Sequence, residues 1–140
     1  MTEADPALPG SHADLLEGEH TAVLTTIGPD GRPQSTVLFF LVTDGRITMS
    51  VRGASQKRRN LAARPACTFV VVDPENTQRY VEVRADASLA PDPDYHVRDA
   101  VVAKYHMPPL QEPPGTERVA VTLHPVRVRA QQRPSLRRNP

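Results

Sequence analysis

The stretch HTAVLTTIGPDGRPQSTVLFFLVTDGRITMSV, residues 20–51, decides the fold. Three runs rich in β-branched and aromatic residues are separated by GPDGRP and by DG. Asp-Gly between apolar runs is the strongest short-range hairpin signal, because glycine takes the positive φ that such a turn demands. The reading is three strands, at about residues 20–27, 34–43 and 46–51, folded back through Asp30-Gly31 and Asp44-Gly45. The second run, QSTVLFFLVT, is apolar on both faces towards its end.

Just beyond it, SVRGASQKRRNLAARP, residues 50–65, reads as a strand end, a glycine turn and a short basic helix. Ser50 and Arg52 share one face of the strand, while Met49 and Val51 take the other. Gly53 lets the backbone turn, Ser55 offers a capping hydroxyl, and Lys57, Arg58 and Arg59 follow in the first turns. Free N–H groups and clustered cations at a helix start suit a phosphate or another small anion. The alternative is a solvated amphipathic helix whose basic face binds nothing.

Pro65 stops that helix, residues 66–72 give a fourth strand, and residues 79–89 give a fifth with clean alternation. Val81, Val83, Ala85 and Ala87 fall on one face; Tyr80, Glu82, Arg84 and Asp86 fall on the other. A helical pattern covers residues 94–106, a proline-rich stretch follows, and the last strand spans about 118–129. Towards the N-terminus, Ser11 followed by Asp14 resembles a capping box opening a short helix through Leu15 and Leu16. The fold class expected is mainly β: a six-stranded antiparallel barrel with two or three short helices. Residues 1–10 are expected to be disordered, 11–130 to form one domain, and 131–140 to be a flexible tail. Long strands that are apolar on both faces in a 140-residue chain point to a homodimer.

Composition narrows the function classes. The net charge of +1 gives no broad nucleic-acid footprint, and no apolar run reaches membrane-spanning length. The basic patch at Lys57–Arg59 lacks the interleaved aromatics of a single-strand binder. A lone cysteine, Cys67 within ACTFVVV, reads as a small buried hydrophobe rather than a catalytic thiol, and fits a reducing cytoplasm. No leader peptide is visible, and five scattered histidines offer no metal-ligand spacing.

Taken together, TTIGPDGRPQSTVLFF and VRGASQKRRNLAARPACTFVVVDPENTQRYVEVRADASL resemble the pyridoxamine 5′-phosphate oxidase-like proteins. Within them the chain is most similar to the branch using the deazaflavin coenzyme F420. The resemblance covers about residues 15–129 and implies a split β-barrel homodimer with the cofactor between subunits. It implies that Lys57 holds the cofactor phosphate, helped by Ser55 and Gln56. Ser50, Val51 and Arg52 would line the strand edge beneath the ribityl chain and ring, and Ser35, Thr36, Val37 and Leu38 would flank the ring. Arg79 and Tyr80 would approach from a neighbouring strand, of this chain or of the partner, and Asn60 would brace the helix. Many relatives carry an arginine where this chain has Ser55, so a second phosphate cation must come from Arg52, Arg58 or Arg59.

FMN and F420 both carry a phosphate on a ribityl arm. The anionic tail of F420 would favour extra cations outside the phosphate pocket, which Arg58, Arg59 and Arg64 could supply. F420 is the expected cofactor, with FMN as the alternative. The implied reaction is hydride transfer from reduced F420 to a small conjugated acceptor. No serine–histidine–acid set stands out, and Tyr105 and His106 are the candidates to line an acceptor pocket and supply a proton. Met107 and Leu110, in the proline-rich loop, suit an apolar acceptor. The other readings are an FMN-dependent enzyme on the same barrel and a cofactor-binding protein without turnover.

Overall fold

A computed structural model of the chain describes residues 5–137. The elements run α1 (Ala13–Glu17), β1 (Ala22–Ile27), β2 (Pro33–Leu38), β3 (Leu41–Thr43), β4 (Arg46–Arg52), α2 (Gln56–Ala63), β5 (Ala66–Asp73), β6 (Asn76–Pro91), α3 (His96–Lys104) and β7 (Arg118–Gln132). The seven strands form one antiparallel sheet in the order β2-β1-β5-β6-β7-β4-β3. Every strand contributes to a single buried cluster, so the sheet must curl around it.

Both Asp-Gly turns form. Ile27 pairs with Pro33 across the first, with Gly31 at φ 80°. In the second, Asp44 and Gly45 both take positive φ, 52° and 76°, as a two-residue hairpin turn requires.

The stretch read as one strand over residues 34–43 is two. It breaks at Phe39-Phe40, which is why seven strands stand where six were expected. The break lets consecutive aromatic rings part company. Phe40 is fully buried, edge to face with Phe69 at 4.9 Å, whereas Phe39 remains 41% exposed. A continuous strand also sends neighbours to opposite faces, but here neither flanking strand pairs across the break.

β6 and β7 are longer than the alternation suggested and carry the sheet from one side of the barrel to the other. The first part of β6 pairs with both β5 and the end of β7. Its last part pairs with the start of β7, which pairs on its other edge with β4. Register shifts between Arg84 and Ala85, where Val126 is the extra residue on β7 beside Pro125. A bulge there accommodates a proline that has no N–H to offer the ladder.

The described parts of both termini make contacts with the sheet. Residues 1–4 and 138–140 lie outside the described residues, but Asp5 accepts from Arg46 Nη2 at 2.7 Å and Leu8 packs on the core. Gln131 and Gln132 extend β7 by pairing with Tyr80 and Arg79. The capping box expected at Ser11 does not form. The Ser11 hydroxyl meets His12 Nδ1, and Asp14 turns to Arg79 instead. Cys67 is buried in β5, and burial pushes its thiol up to about 12, the behaviour of a packing residue. Among the described residues, no helix is long and apolar enough to cross a membrane, and no group of three potential metal ligands forms.

Candidate functional site

The site is built where β4 ends. The pairing of β4 with β7 sets Arg52 directly opposite Arg118. Gly53 N–H donates to Glu117 O at 2.9 Å, and the chain turns into α2. Ser55 caps that helix: its hydroxyl accepts from Arg58 N at 3.3 Å and donates to Arg52 O at 2.7 Å. The start of α2 thereby faces a cavity of about 700 Å³. That volume lies within the range of small-molecule and cofactor sites.

One wall of the cavity is cationic, lined by Arg52, Lys57, Arg98 and Arg118. Lys57 is half-buried and, among the described residues, has no hydrogen-bond or ion-pair partner. Burial lowers its pKa from 10.5, and the nearby charges of Arg118 and Arg52 lower it further. Ser50 presents a second unsatisfied group to the same cavity. Its Oγ is buried and lacks a hydrogen-bond partner. An uncompensated ammonium and an orphaned hydroxyl on one wall are costly unless a polar, anionic ligand completes them.

Two like charges opposite each other on neighbouring strands repel. Glu112, from the proline-rich loop, makes the Arg52–Arg118 pairing tolerable. Its side chain is only 5% exposed. Arg118 donates to both Glu112 oxygens, Arg98 Nη1 donates to Oε2 at 3.0 Å, and Arg52 Nε lies 3.5 Å from Oε1. Arg118 first, and then Arg98, hold the Glu112 carboxyl below its ordinary pKa against the opposing effect of burial.

The remaining walls are apolar. Val37 and Leu38 come from the end of β2 and Phe39 from the strand break; Val101 and Val102 come from α3, and Met107 and Leu110 from the loop. Val37, Phe39 and Leu110 are themselves exposed, so the open side of the cavity is ringed by apolar groups.

Of the residues singled out in the sequence, Val37, Leu38, Ser50, Val51, Arg52, Ser55 and Lys57 line this cavity together. Ser35 and Thr36 do not; the Ser35 hydroxyl bonds with Thr25 Oγ1 on the exposed side of the β1–β2 hairpin. Asn60 is fully buried and braces α2, donating to Thr26 and Gln34 and accepting from Gln56. Gln56 and Asn60 border a separate, shallower depression of about 450 Å³. Arg79 is held by Asp14, Asp73 and the Ser11 carbonyl, and neither it nor Tyr80 lines the cavity.

Arg58 and Arg59, considered as the second phosphate cation, fold back onto the carbonyls of Gly53 and Ala54, while Arg64 donates to Ile27 O. Their side chains hold the α2 turn, so Arg52 is the one of the three alternatives that reaches the cavity. Tyr105 and His106 do not reach it either. The Tyr105 hydroxyl donates to His20 O at 2.6 Å and accepts from Phe40 N, with its ring 4.7 Å from that of Phe39. His106 is exposed and meets Glu19 at 2.9 Å. The residues that sequence reading missed are Arg98, Arg118 and Glu112. The one available signal was their charge beside the proline-rich loop.

The fold does assemble a serine, a histidine and an acid elsewhere. Ser88 Oγ lies 2.8 Å from His124 Nε2, and His124 Nδ1 lies 3.8 Å from Asp5 Oδ2. That Asp5 oxygen is already taken by Arg46, and none of the three borders the cavity.

The family model for pyridoxamine 5′-phosphate oxidase matches residues 8–132. The chain belongs to this family. Its curled antiparallel sheet is the split β-barrel of that family. Among solved structures it is similar to an F420 reductase, with 32% identity, 87% of this chain and 98% of that chain covered, and a TM-score of 0.78. It is also similar to a conserved hypothetical protein from Mycobacterium tuberculosis, with 28% identity, coverage of 94% and 89%, and a TM-score of 0.74. A heme storage protein from Vibrio cholerae shares the fold at 17% identity, with coverage of 90% and 96% and a TM-score of 0.64. No curated protein matches.

For a member of the pyridoxamine 5′-phosphate oxidase family, the cavity fits a phosphate-bearing redox cofactor at two atoms. Lys57 Nζ lacks an anion, and Ser50 Oγ lacks a hydrogen-bond partner. The apolar walls opposite suit a planar ring.

Proposed function

We propose that the chain is an oxidoreductase that binds reduced coenzyme F420 in this cavity and delivers a hydride to a small conjugated organic acceptor. The observation that carries the reading is the half-buried Lys57, without an acidic partner among the described residues, beside Arg52 and Arg118 at the start of α2. When bound, the deazaflavin supplies the hydride. The chain's own residues do the binding and aligning. Lys57, Arg52 and Arg118 take the phosphate, with Ser55 fixing the helix start on which Lys57 rides. Val37, Leu38 and Phe39 press on the ring system, while Val101, Met107 and Leu110 exclude water and accept an apolar substrate. Among the described residues, the titratable groups that line the cavity are the four cations, of which Lys57 can give up a proton.

The 32%-identical F420 reductase supports F420 over FMN. Arg58, Arg59 and Arg64 add nothing to that support, since these reach backbone carbonyls. FMN is the second reading, favoured by the family's match to an oxidase. A cytoplasmic homodimer accompanies the proposal. Val23 and Val37 lie opposite each other on the outer face of the β1–β2 hairpin, 38% and 67% exposed, beside the apolar rim of the cavity. A second copy there would cover both the pair and the rim.

The test is a pair of fluorescence titrations with F420 and FMN on the wild-type chain and on K57A, followed by turnover of a conjugated acceptor with reduced F420. Saturable F420 binding lost in K57A, with turnover, is the expected result. Binding without turnover leaves a carrier, and binding unaffected by K57A removes the site.

A further inference from the structure

The geometry points to Glu112 as the residue that tilts the cation site toward a phosphodiester and away from a terminal phosphate. The inference rests on the proposed anion site and deepens it. Four cations line the wall. Asp99, 64% exposed, bonds Arg98 alone, and among the described residues Glu112 is the one buried carboxylate bonded to them. It touches three of the four, leaving Lys57 outside the cluster. Glu112 itself does not line the cavity: its charge is held behind Arg118 and Arg52, the two cations nearest Lys57. Glu117 is exposed and forms no ion pair with the wall.

A ligand oxygen seated on Lys57, Arg52 and Arg118 therefore feels a fixed negative charge just beyond the arginines. Being nearly solvent-excluded, that charge is screened less than a surface carboxylate. Its repulsion scales with ligand charge. The phosphate in F420 joins two groups and carries one negative charge, whereas the terminal phosphate of FMN carries close to two well above its second pKa of about 6. Repulsion from one unit charge at several ångströms changes an affinity by about three-fold even at the dielectric constant of water. Glu112 thus costs a monoanion at least about three-fold and a dianion at least about ten-fold, the square of the first. As a positioning residue it has a second effect, holding Arg118 in place, which acts equally on both ligands.

The test uses FMN and the methyl ester of FMN, which differ by one phosphate charge and the methyl group that removes it, titrated at about pH 8 into the full chain. In E112Q the affinity for FMN is expected to rise about ten-fold and that for the ester about three-fold, so their ratio moves about three-fold toward FMN. In E112D, which keeps the charge, the ratio stays at the wild-type value. An unchanged ratio in E112Q, or an equal shift in E112D, overturns the inference. Should E112Q not fold, R98Q/E112Q against R98Q makes the same comparison without stranding Arg98, and an unchanged ratio there overturns it equally. The two readings fail separately. If neither flavin ligand binds the wild type, the anion site falls. If both bind and F420 does not, the cofactor assignment falls while the ratio still tests Glu112.

Discussion

Two charged clusters in this molecule are near mirror images. Arg79 is one cation between two acids, Asp14 and Asp73, with further bonds to the Ser11 carbonyl and Gln132. Glu112 is one buried acid among three cations, with the exposed Asp99 on Arg98 and a fourth cation, Lys57, beside them and unpaired among the described residues. In the first cluster every strong donor of the guanidinium is used within the chain, and one of its acids, Asp14, is largely exposed to water. The second is over-supplied with positive charge in a half-buried place. A cluster that closes on itself pins elements together, here α1 and the β5–β6 turn. A cluster left open in a cavity is finished by something from outside.

The contrast can be broken most forcefully at Glu112. E112A strands Arg118, whose side chain is 11% exposed, leaves Arg98 with Asp99 alone, and is expected to cost about 3–5 kcal/mol in urea unfolding. A cost under about 1 kcal/mol would mean these arginines find water as easily as a surface pair does. Next comes K57A, with the opposite signature. Cofactor binding weakens by about 1.5–3 kcal/mol, while unfolding free energy holds or rises, because the chain loses a cation that it never paired.

The closed cluster should respond to acid. Its bond to Arg79, together with that residue's charge, holds Asp14 down from 3.8 to about 2. A depressed carboxyl stabilises the fold fully above its unfolded value and progressively less as pH falls through its folded value. Stability is therefore expected to drop between about pH 4 and pH 2, and R79M should flatten that drop and cost less at neutral pH than E112A does. Thermal melts across that range check it. The smallest effect belongs to Y105F, which removes the bonds to His20 O and Phe40 N and should cost about 1 kcal/mol without changing turnover. A loss of turnover in Y105F at unchanged stability would return Tyr105 to the reaction.

The parts of this molecule that were legible in sequence share a physical property: their cause is local. Asp44-Gly45 announces its turn because the positive φ is a property of those two residues. Ser55 announces the start of α2 because its hydroxyl reaches only three residues ahead. Val81, Val83 and Ala85 show their buried face through alternation alone. The break at Phe39-Phe40 was hidden because an apolar run looks the same whether it continues or divides between wall and core. Arg118 was hidden for another reason. Its place in the site follows from the β4–β7 register, which pairs residues 66 positions apart in sequence. The same distance hid Glu112, whose meaning depends on three arginines drawn from β4, α3 and β7. For Arg58 and Arg59, type and position were read correctly, but side-chain direction was not. Backbone carbonyls at the Gly53 turn competed for their guanidiniums and won.

The divided second strand has a mechanical corollary. Phe39 belongs to the cavity lining and Phe40 to the sealed interior, yet a single peptide unit joins them. Whatever leans on the first ring pulls on a lever whose short arm is clamped against Phe69. Occupancy of the cavity should accordingly register as slowed amide exchange at Phe40 and along β3, a readout that needs neither colour nor turnover.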